Sequence, residues 1–413
     1  MKNLVIIFGG TSVEHDISIL TALHAAHNVV GGARVHFVYI TKKGRMVVGR
    51  SLADIDYFIS GAKGRVRECR FENGTLYVKG RLGQRRLCRV DVVLNCCHGG
   101  PGENGQLAAL LDMADVPMVG CDTHSASVLM SKITTREKLV FHGFAQPKFI
   151  QCSRKHYLKN PEACVESICS TIPFPLIIKP NTLGSSIGIA IAKTREELAQ
   201  ALELAFSFDS KVIVEDYLDV FFEVNCSAFL HNDKIWVSKC EDISSSSMPD
   251  TTPDVVAKDK VTCEIIADLT AKYKNEFLKF EDKYLRSARP VLKKSLGEGN
   301  EVVEPYKQRI FEQIQDLMHK AYELFGCSGV VRGDFLVVKK DNSEGAEYEI
   351  YLNEINTVPG FLAYHLWIKS GVPYGVLIDM LVKQAIAQHK DKAQEITYFP
   401  STVLEQNRSL AER

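Results

Sequence analysis

The sequence predicts an α/β protein whose first domain is a doubly wound parallel sheet. Leu4-Val-Ile-Ile-Phe8 is a continuous apolar run that leads into Gly9-Gly10 and then a helical pattern from Asp16. Strand, glycine turn and helix in that order open an α/β domain. Val35–Ile40 and Val90–Asn95 are further buried-strand runs, the second followed by the glycine-rich His98–Gly105 turn and an apolar helix from Gln106. Val116–Gly120 reads as a short strand, with Pro117 tolerated near its start. This order predicts a first domain over 1–125.

A helix through Lys132 leads into a second α/β region, predicted over 126–218. Its strands are Pro175–Lys179, Ile187–Ile191 and Val212–Leu218, with a glycine/serine turn after the first and a helix from Thr194 after the second. Patterning weakens from Glu241 to Glu276, where Ile243-Ser-Ser-Ser-Ser-Met-Pro249 reads as a loop and Cys263–Lys274 as one short helix. A strong helix is expected at Tyr306–Phe325, then strands Val330–Val338 and Tyr348–Asn356 and a closing helix near Val376–His389. That third region spans 219–390, with an insertion near 241–276, and a polar tail fills 391–413.

Lys+Arg and Asp+Glu both number 50. Zero net charge supplies no general field for nucleic acid or an anionic membrane surface, and no apolar stretch has the length of a membrane span. The twelve cysteines include no C-x-x-C pair, and Cys96-Cys97 sit in an apolar run as small buried hydrophobes. The chain reads as soluble, cytoplasmic and reduced.

Chemistry concentrates in three places. In Val331-Arg-Gly-Asp-Phe335, Arg332 and Asp334 share a strand face; in Asn353-Glu-Ile-Asn356, Glu354 and Asn356 do the same. A turn centred near residue 344 sets Asp334 opposite Glu354. Two carboxylates and an amide oxygen then converge as hard ligands suited to Mg²⁺; the competing reading is a hairpin with a solvated outer face. The second place is Lys179 and the Gly184-Ser185-Ser186 turn, where backbone N–H groups and a point charge can hold a polyphosphate, or where a plain flexible loop lies. Glu215 fits an adenine or ribose contact, or equally a solvated strand-end carboxylate. The third is Glu14, just past the Gly9-Gly10 turn at the carboxyl end of the first strand, where open α/β sheets bind ligands. It suits a substrate ammonium or a helix N-terminal acid, and His98 and Glu103 carry the same two readings.

On these motifs the chain resembles the D-alanine–D-alanine ligase family of the ATP-grasp superfamily. The matching runs are Phe8–Ser18, His98–Gly105, Met130-Ser-Lys132, Phe174–Gly188, Cys327–Phe335 and Leu352–Gly360. The resemblance implies an ATP-grasp fold and an ADP-forming ligase of peptidoglycan synthesis, with ATP and two Mg²⁺ ions as cofactors and Mn²⁺ as an alternative. It implies that Lys132, Lys179, Ser185, Ser186, Glu215, Leu218, Glu223 and Lys283 bind ATP, and that Asp334, Glu354 and Asn356 hold the metal. Glu14 would orient the first amino acid, and Arg332 with the Gly360 N–H would steady the oxyanion. Ser185 and Tyr284 would complete the catalytic set, with Lys283 and Tyr284 on a closing loop. His98, Glu103, His365 and Leu366 would line the substrate sites. The partners implied are amino acids and ATP, and family members are often dimers.

Two departures stand out. After Pro359-Gly360 the family usually has a Thr-Ser-x-Ser-Leu-like stretch whose serine takes the second amino acid's carboxylate; here it is Phe361-Leu-Ala-Tyr-His365-Leu. About 30 residues between Cys240 and Phe277 also have no clear counterpart. The expectation is therefore a D-alanine–D-alanine or D-Ala–D-X ligase, with a different amine acceptor in natural-product biosynthesis as the enzymatic alternative. A catalytically silent nucleotide-binding regulator is the alternative of another class.

Overall fold

The computed structural model describes residues 2–60, 64–218, 221–243, 305–340, 347–396, 398 and 400–407. The closing-loop residues Lys283 and Tyr284, the Cys263–Lys274 helix, most of the 241–276 insertion and the turn near residue 344 lie outside these.

The first sheet contains β1 (Asn3–Gly9), β2 (Arg34–Ile40), β3 (Met46–Val48), β4 (Arg67–Glu72), β5 (Thr75–Gly80), β6 (Gly83–Arg89), β7 (Val92–Asn95) and β8 (Met118–Val119). Its order is β6-β5-β4-β3-β2-β1-β7-β8. The parallel expectation holds for β2-β1-β7-β8, and β1 and β7 are buried along nearly their whole length, as their unbroken apolar runs require. It fails for β3–β6, which pair antiparallel. The sheet is mixed. β4 and β6 escape sequence reading because they are charge-rich and mostly exposed, with Phe71 alone buried on β4. A local signal was nevertheless present: Asn73-Gly74 joins β4 to β5 with φ of 44° and 68°, as a two-residue hairpin demands.

The second sheet, order β11-β10-β12-β9, is built from β9 (Phe149–Ser153), β10 (Leu176–Pro180), β11 (Ala190–Ala192) and β12 (Lys211–Asp216). Helices Pro161–Thr171 and Arg195–Phe208 cover it through Val165, Ile168, Leu198 and Leu202. The strand expected over Ile187–Ile191 begins only at Ala190. Ser185, Ser186 and Gly188 all have positive φ, a conformation no strand adopts. The helix expected through Lys132 is two helices, Thr123–Met130 and Lys132–Phe141. Extended Ser131 divides them and caps the second by accepting from Thr134 N–H.

The third sheet holds β13 (Phe221–His231), β14 (Lys234–Val237), β15 (Glu241–Asp242), β16 (Val330–Lys340) and β17 (Glu347–Asn356), in the order β14-β13-β16-β17 with β15 paired to β13. Helix Pro305–Leu324 lays Ile310, Ile314, Met318, Ala321 and Tyr322 on it, an i, i+4, i+8 stripe. The helix Tyr374–Lys392 adds Leu377, Ile378 and Leu381 to the core that holds Leu4, Ile6, Phe8 and Leu94 of the first sheet and Phe229 and Val330 of the third. One core thus ties the carboxyl-terminal ends of β1 and β7 to Val358, just after β17.

Candidate active site

Register decides the carboxylate hairpin. β16 and β17 set Asp334 opposite Glu354 and Arg332 opposite Asn356, with a bulge between Asp334 and Phe335. Beyond the bulge Phe335 faces Leu352, so Asn353 is the extra residue. Asp334 is 1% exposed. Its oxygens accept from Arg332 Nε (2.6 Å) and Nη2 (2.8 Å), and from Asn356 Nδ2 (3.1 Å). That is a fork-on-carboxylate pair in a water-poor setting. Among the described residues no group of three or more His, Cys, Asp or Glu side chains converges for a metal ion. The donors at hand are two carboxylates and the Asn356 amide, a set that fits a Mg²⁺ completed by phosphate oxygens.

The bulge residue has its own use. Asn353 accepts from Arg136, Nη1 reaching its backbone oxygen at 2.7 Å and Nη2 its side-chain oxygen at 3.0 Å. Arg136 Nη1 also reaches Leu352 O at 2.9 Å. The same guanidinium pairs with Glu215 at 2.6 Å, and Lys179 Nζ takes the other Glu215 oxygen at 2.5 Å. Burial pushes Glu215 up, but Arg136 and then Lys179 outweigh it and hold the carboxylate at about 2. Glu215 is thus not a solvated strand-end acid: at 1% exposure it is the anion of a buried cluster. Lys132 Nζ donates to Leu183 O at 2.6 Å, and Ile133 N–H to Asn181 Oδ1 at 2.9 Å, so the second helix anchors the glycine/serine loop. Leu218 follows β12, and Glu223 lies on β13 opposite Leu336.

The glycine/serine loop then reaches the first sheet. Ser185 Oγ donates to the Glu14 carboxylate, and both groups are buried. A cavity of about 640 Å³ opens beside them, lined in part by Ser12, Glu14, Gly99, Gly105 and Leu183. Glu103 accepts from Gly99 N–H (2.8 Å) and Val358 N–H (3.0 Å), fastening the β7 turn to the segment after β17. Burial, and then the charge of Glu14, push its carboxyl up to about 7. Gly99 is the tight point. Its φ is +64°, and a Cβ there would lie 2.4 Å from Ser12 Oγ and 2.5 Å from Glu14 Oε2. On the role that the resemblance implies for Glu14, we expect Gly99→Ala to raise KM for the first amino acid at least tenfold, since the carboxylate must turn away, and to cost about 1–2 kcal/mol of stability. Steady-state kinetics and urea titration check both.

His98 is held by protein on both sides of its ring. At 2% exposure both ring nitrogens are engaged: Nδ1–H donates to Val358 O (2.7 Å), so Nε2 accepts from the Thr21 hydroxyl (2.8 Å). Thr21 Oγ1 in turn accepts from Phe361 N–H at 3.2 Å. Burial holds the imidazole below its ordinary value, hence neutral. The pair clamps Val358–Phe361, and Gly360 with it. This matters because Phe361, Leu362 and Ala363 all have φ between 51° and 55°, three consecutive left-handed residues that local sterics oppose. Leu362 and Ala363 are buried, and so is Leu366. His365 Nε2 meets Glu241 Oε2 at 3.1 Å, while Lys369 Nζ takes Oε1 at 2.7 Å. Burial raises Glu241, but His365 and Lys369 together hold it at about 2.

The family model for the D-ala D-ala ligase N-terminus matches residues 3–121, and that for the D-ala D-ala ligase C-terminus matches residues 139–386. The chain belongs to the D-alanine–D-alanine ligase family. Relatives called D-alanine–D-alanine ligase include those of Caldicellulosiruptor bescii, 29% identical over 94% of this chain and 96% of theirs, and of Bacillus licheniformis, 28% identical over 95% and 98%. Among solved structures, the D-alanine–D-alanine ligase from Coxiella burnetii shares the fold, with a TM-score of 0.70 at 22% identity over 95% of this chain and 98% of that one. The VanG D-Ala:D-Ser ligase from Enterococcus faecalis gives 0.69 at 25%, covering 93% and 99%. The fold is therefore the ATP-grasp fold of D-alanine–D-alanine ligases. Lys132 and Arg136 lie between the two matched stretches, so the helix that carries them joins the family's two halves. Sequence reading missed Arg136, Thr21, Glu241 and Asn353. Arg136 sits in a polar helix (Thr-Thr-Arg-Glu-Lys) with nothing to mark it as buried, and Asn353 gains its role only from a bulge.

Proposed function

We propose that the protein is an ATP-dependent, ADP-forming ligase that joins D-alanine to D-alanine through an acyl phosphate, serving cell-wall precursor synthesis in the cytoplasm as a homodimer. The observation that supports this reading is that Ser185 of the second sheet bonds Glu14 of the first, that Asp334 on the third takes Arg332 and Asn356, and that Glu103 lies under the charges of both Glu14 and Glu354, in a chain that the family models match over residues 3–121 and 139–386.

A carboxylate is a poor electrophile until one oxygen becomes a leaving group, and transfer of the γ-phosphoryl group of ATP achieves that. Glu14, held by Ser185, orients the ammonium of the first amino acid. Lys179 and Lys132 place positive charge along the glycine/serine loop on which the phosphates lie. Asp334, Glu354 and Asn356 would hold Mg²⁺, which when bound offsets phosphate charge. Arg332, released from Asp334, faces the oxyanion that forms when the second amine attacks, together with the Gly360 N–H fixed by the His98–Thr21 clamp. Lys283 and Tyr284 would close over the site and exclude water.

A second reading concerns the acceptor alone. His365, whose Nε2 meets Glu241 at 3.1 Å, stands where the family has a serine, which favours an acceptor other than D-alanine. One experiment separates the two: purified protein, Mg-ATP and a panel of amino acids and 2-hydroxy acids. We expect D-alanine alone to give ADP, phosphate and D-alanyl-D-alanine in equal amounts. ADP and phosphate released only when a different acceptor is added would replace the first reading with the second.

A further inference from the structure

Away from the cleft, two cysteines stand closer than packed thiols do. Cys152 lies on β9, opposite Val212 of β12, and Cys164 lies in the first turn of the Pro161–Thr171 helix that covers this sheet. Their sulfurs are 2.7 Å apart, against about 2.05 Å in a disulfide bond. Strand and helix already hold both side chains pointing at each other, so bond formation needs only a small shift. We propose that Cys152 and Cys164 are an oxidative modification site, a dithiol that closes to a disulfide when the protein meets peroxide.

Environment orders the steps. Cys152 is buried, and burial pushes its thiol well up, so it stays protonated. Cys164 is half-buried, beside the exposed Glu162 and Ala163, and is the sulfur a small oxidant reaches. Its thiolate attacks one peroxide oxygen, giving a sulfenic acid and releasing hydroxide. The Cys152 thiol then attacks the Cys164 sulfur as its proton passes to the sulfenic hydroxyl, which leaves as water. In sum two thiols and one hydrogen peroxide give one disulfide and two waters, with two electrons passing from sulfur to oxygen. Two further thiol pairs are neighbours, Cys226 with Cys240 and Cys121 with Cys327, but Cys226, Cys240 and Cys121 donate to the backbone oxygens of Ser238, Phe311 and Ser328. Cys226, Cys121 and Cys327 are all buried, out of reach of a small oxidant, so these pairs react later. In a reducing compartment such a bond forms transiently. When formed, it fixes the helix to the sheet whose β12 carries Glu215.

The test is peptide mapping of the full-length protein after brief treatment with dilute hydrogen peroxide and alkylation of the remaining thiols. The expected result is one linkage, Cys152 to Cys164, with loss of two hydrogens, reversal by dithiothreitol and a Tm higher by roughly 5 °C. Cys164→Ser should abolish both the linkage and the rise. Sulfinic acid accumulating at Cys164 without a linkage, or a linkage forming first at either other pair, overturns the proposal. The mapping on unmodified protein decides the matter even if the serine variant folds poorly, and neither outcome depends on which amino acids the cleft joins.

Discussion

Asp334→Asn should lower kcat for ligation by on the order of 10³-fold while leaving the chain folded. The side chain is nearly isosteric, yet the carboxylate it removes stands at the meeting point of three contacts. Asp334 faces Glu354 across β16 and β17, takes the Arg332 fork, and accepts from Asn356. Without its charge, two hard donors remain for a divalent cation, and the Arg332 guanidinium loses its carboxylate partner. ADP formation measured with saturating D-alanine should fall nearly to background, with the Tm within a few degrees of the parent. Near-normal turnover would show that the metal assignment is misplaced.

Arg136→Met should be the largest destabilisation that a single side chain away from the reacting atoms can produce, about 3–5 kcal/mol. Arg136 is 3% exposed, and its guanidinium joins Glu215 of β12 to Leu352 and Asn353 of β17. Methionine fills most of the volume but leaves Glu215 with Lys179 alone. The acid limb gives a second readout. The folded Glu215 value, about 2, lies below its ordinary 4.5. Its contribution is therefore complete above about 4.5 and is lost as pH falls toward 2. With Arg136 gone the folded value rises, so acid unfolding should begin at higher pH. Urea titrations at several pH values measure both effects, and an unchanged urea midpoint would show the cluster to be energetically idle. Glu215→Gln combined with Arg136→Met should cost less than the sum of the two, because each removes the other's unpaired charge.

The parts of this architecture that were legible in the sequence are those where burial is continuous or a turn fixes register. β1 and β7 show as unbroken apolar runs because both faces are covered. The Asp334–Glu354 pairing follows from a turn placed midway, and it survives because the Asn353 bulge adds one residue between Leu352 and Glu354. Without that bulge the register would set Asp334 opposite Asn353. The antiparallel extension β3–β6 was not legible from periodicity, since its outer strands bury too little to show an alternation, although Asn73-Gly74 marked one of its turns. The buried cluster was hidden for a different reason. Neither Arg136 nor Glu215 differs, by residue type or neighbours, from a solvated charge; only the meeting of the Lys132–Phe141 helix with two sheets makes them partners. His98 illustrates a third case: a motif residue whose place was clear and whose partners were not, because Thr21 and Val358 are far from it in sequence.

Acyl phosphate formation is the claim on which the rest depends, and oxygen transfer tests it most directly. D-Alanine labelled with ¹⁸O in its carboxylate is incubated with the protein, ATP and Mg²⁺, and the released phosphate is analysed by mass. If the carboxylate oxygen attacks the γ-phosphorus and leaves with it, each inorganic phosphate carries one ¹⁸O from the donor. Phosphate free of label, alongside dipeptide product, would contradict the account.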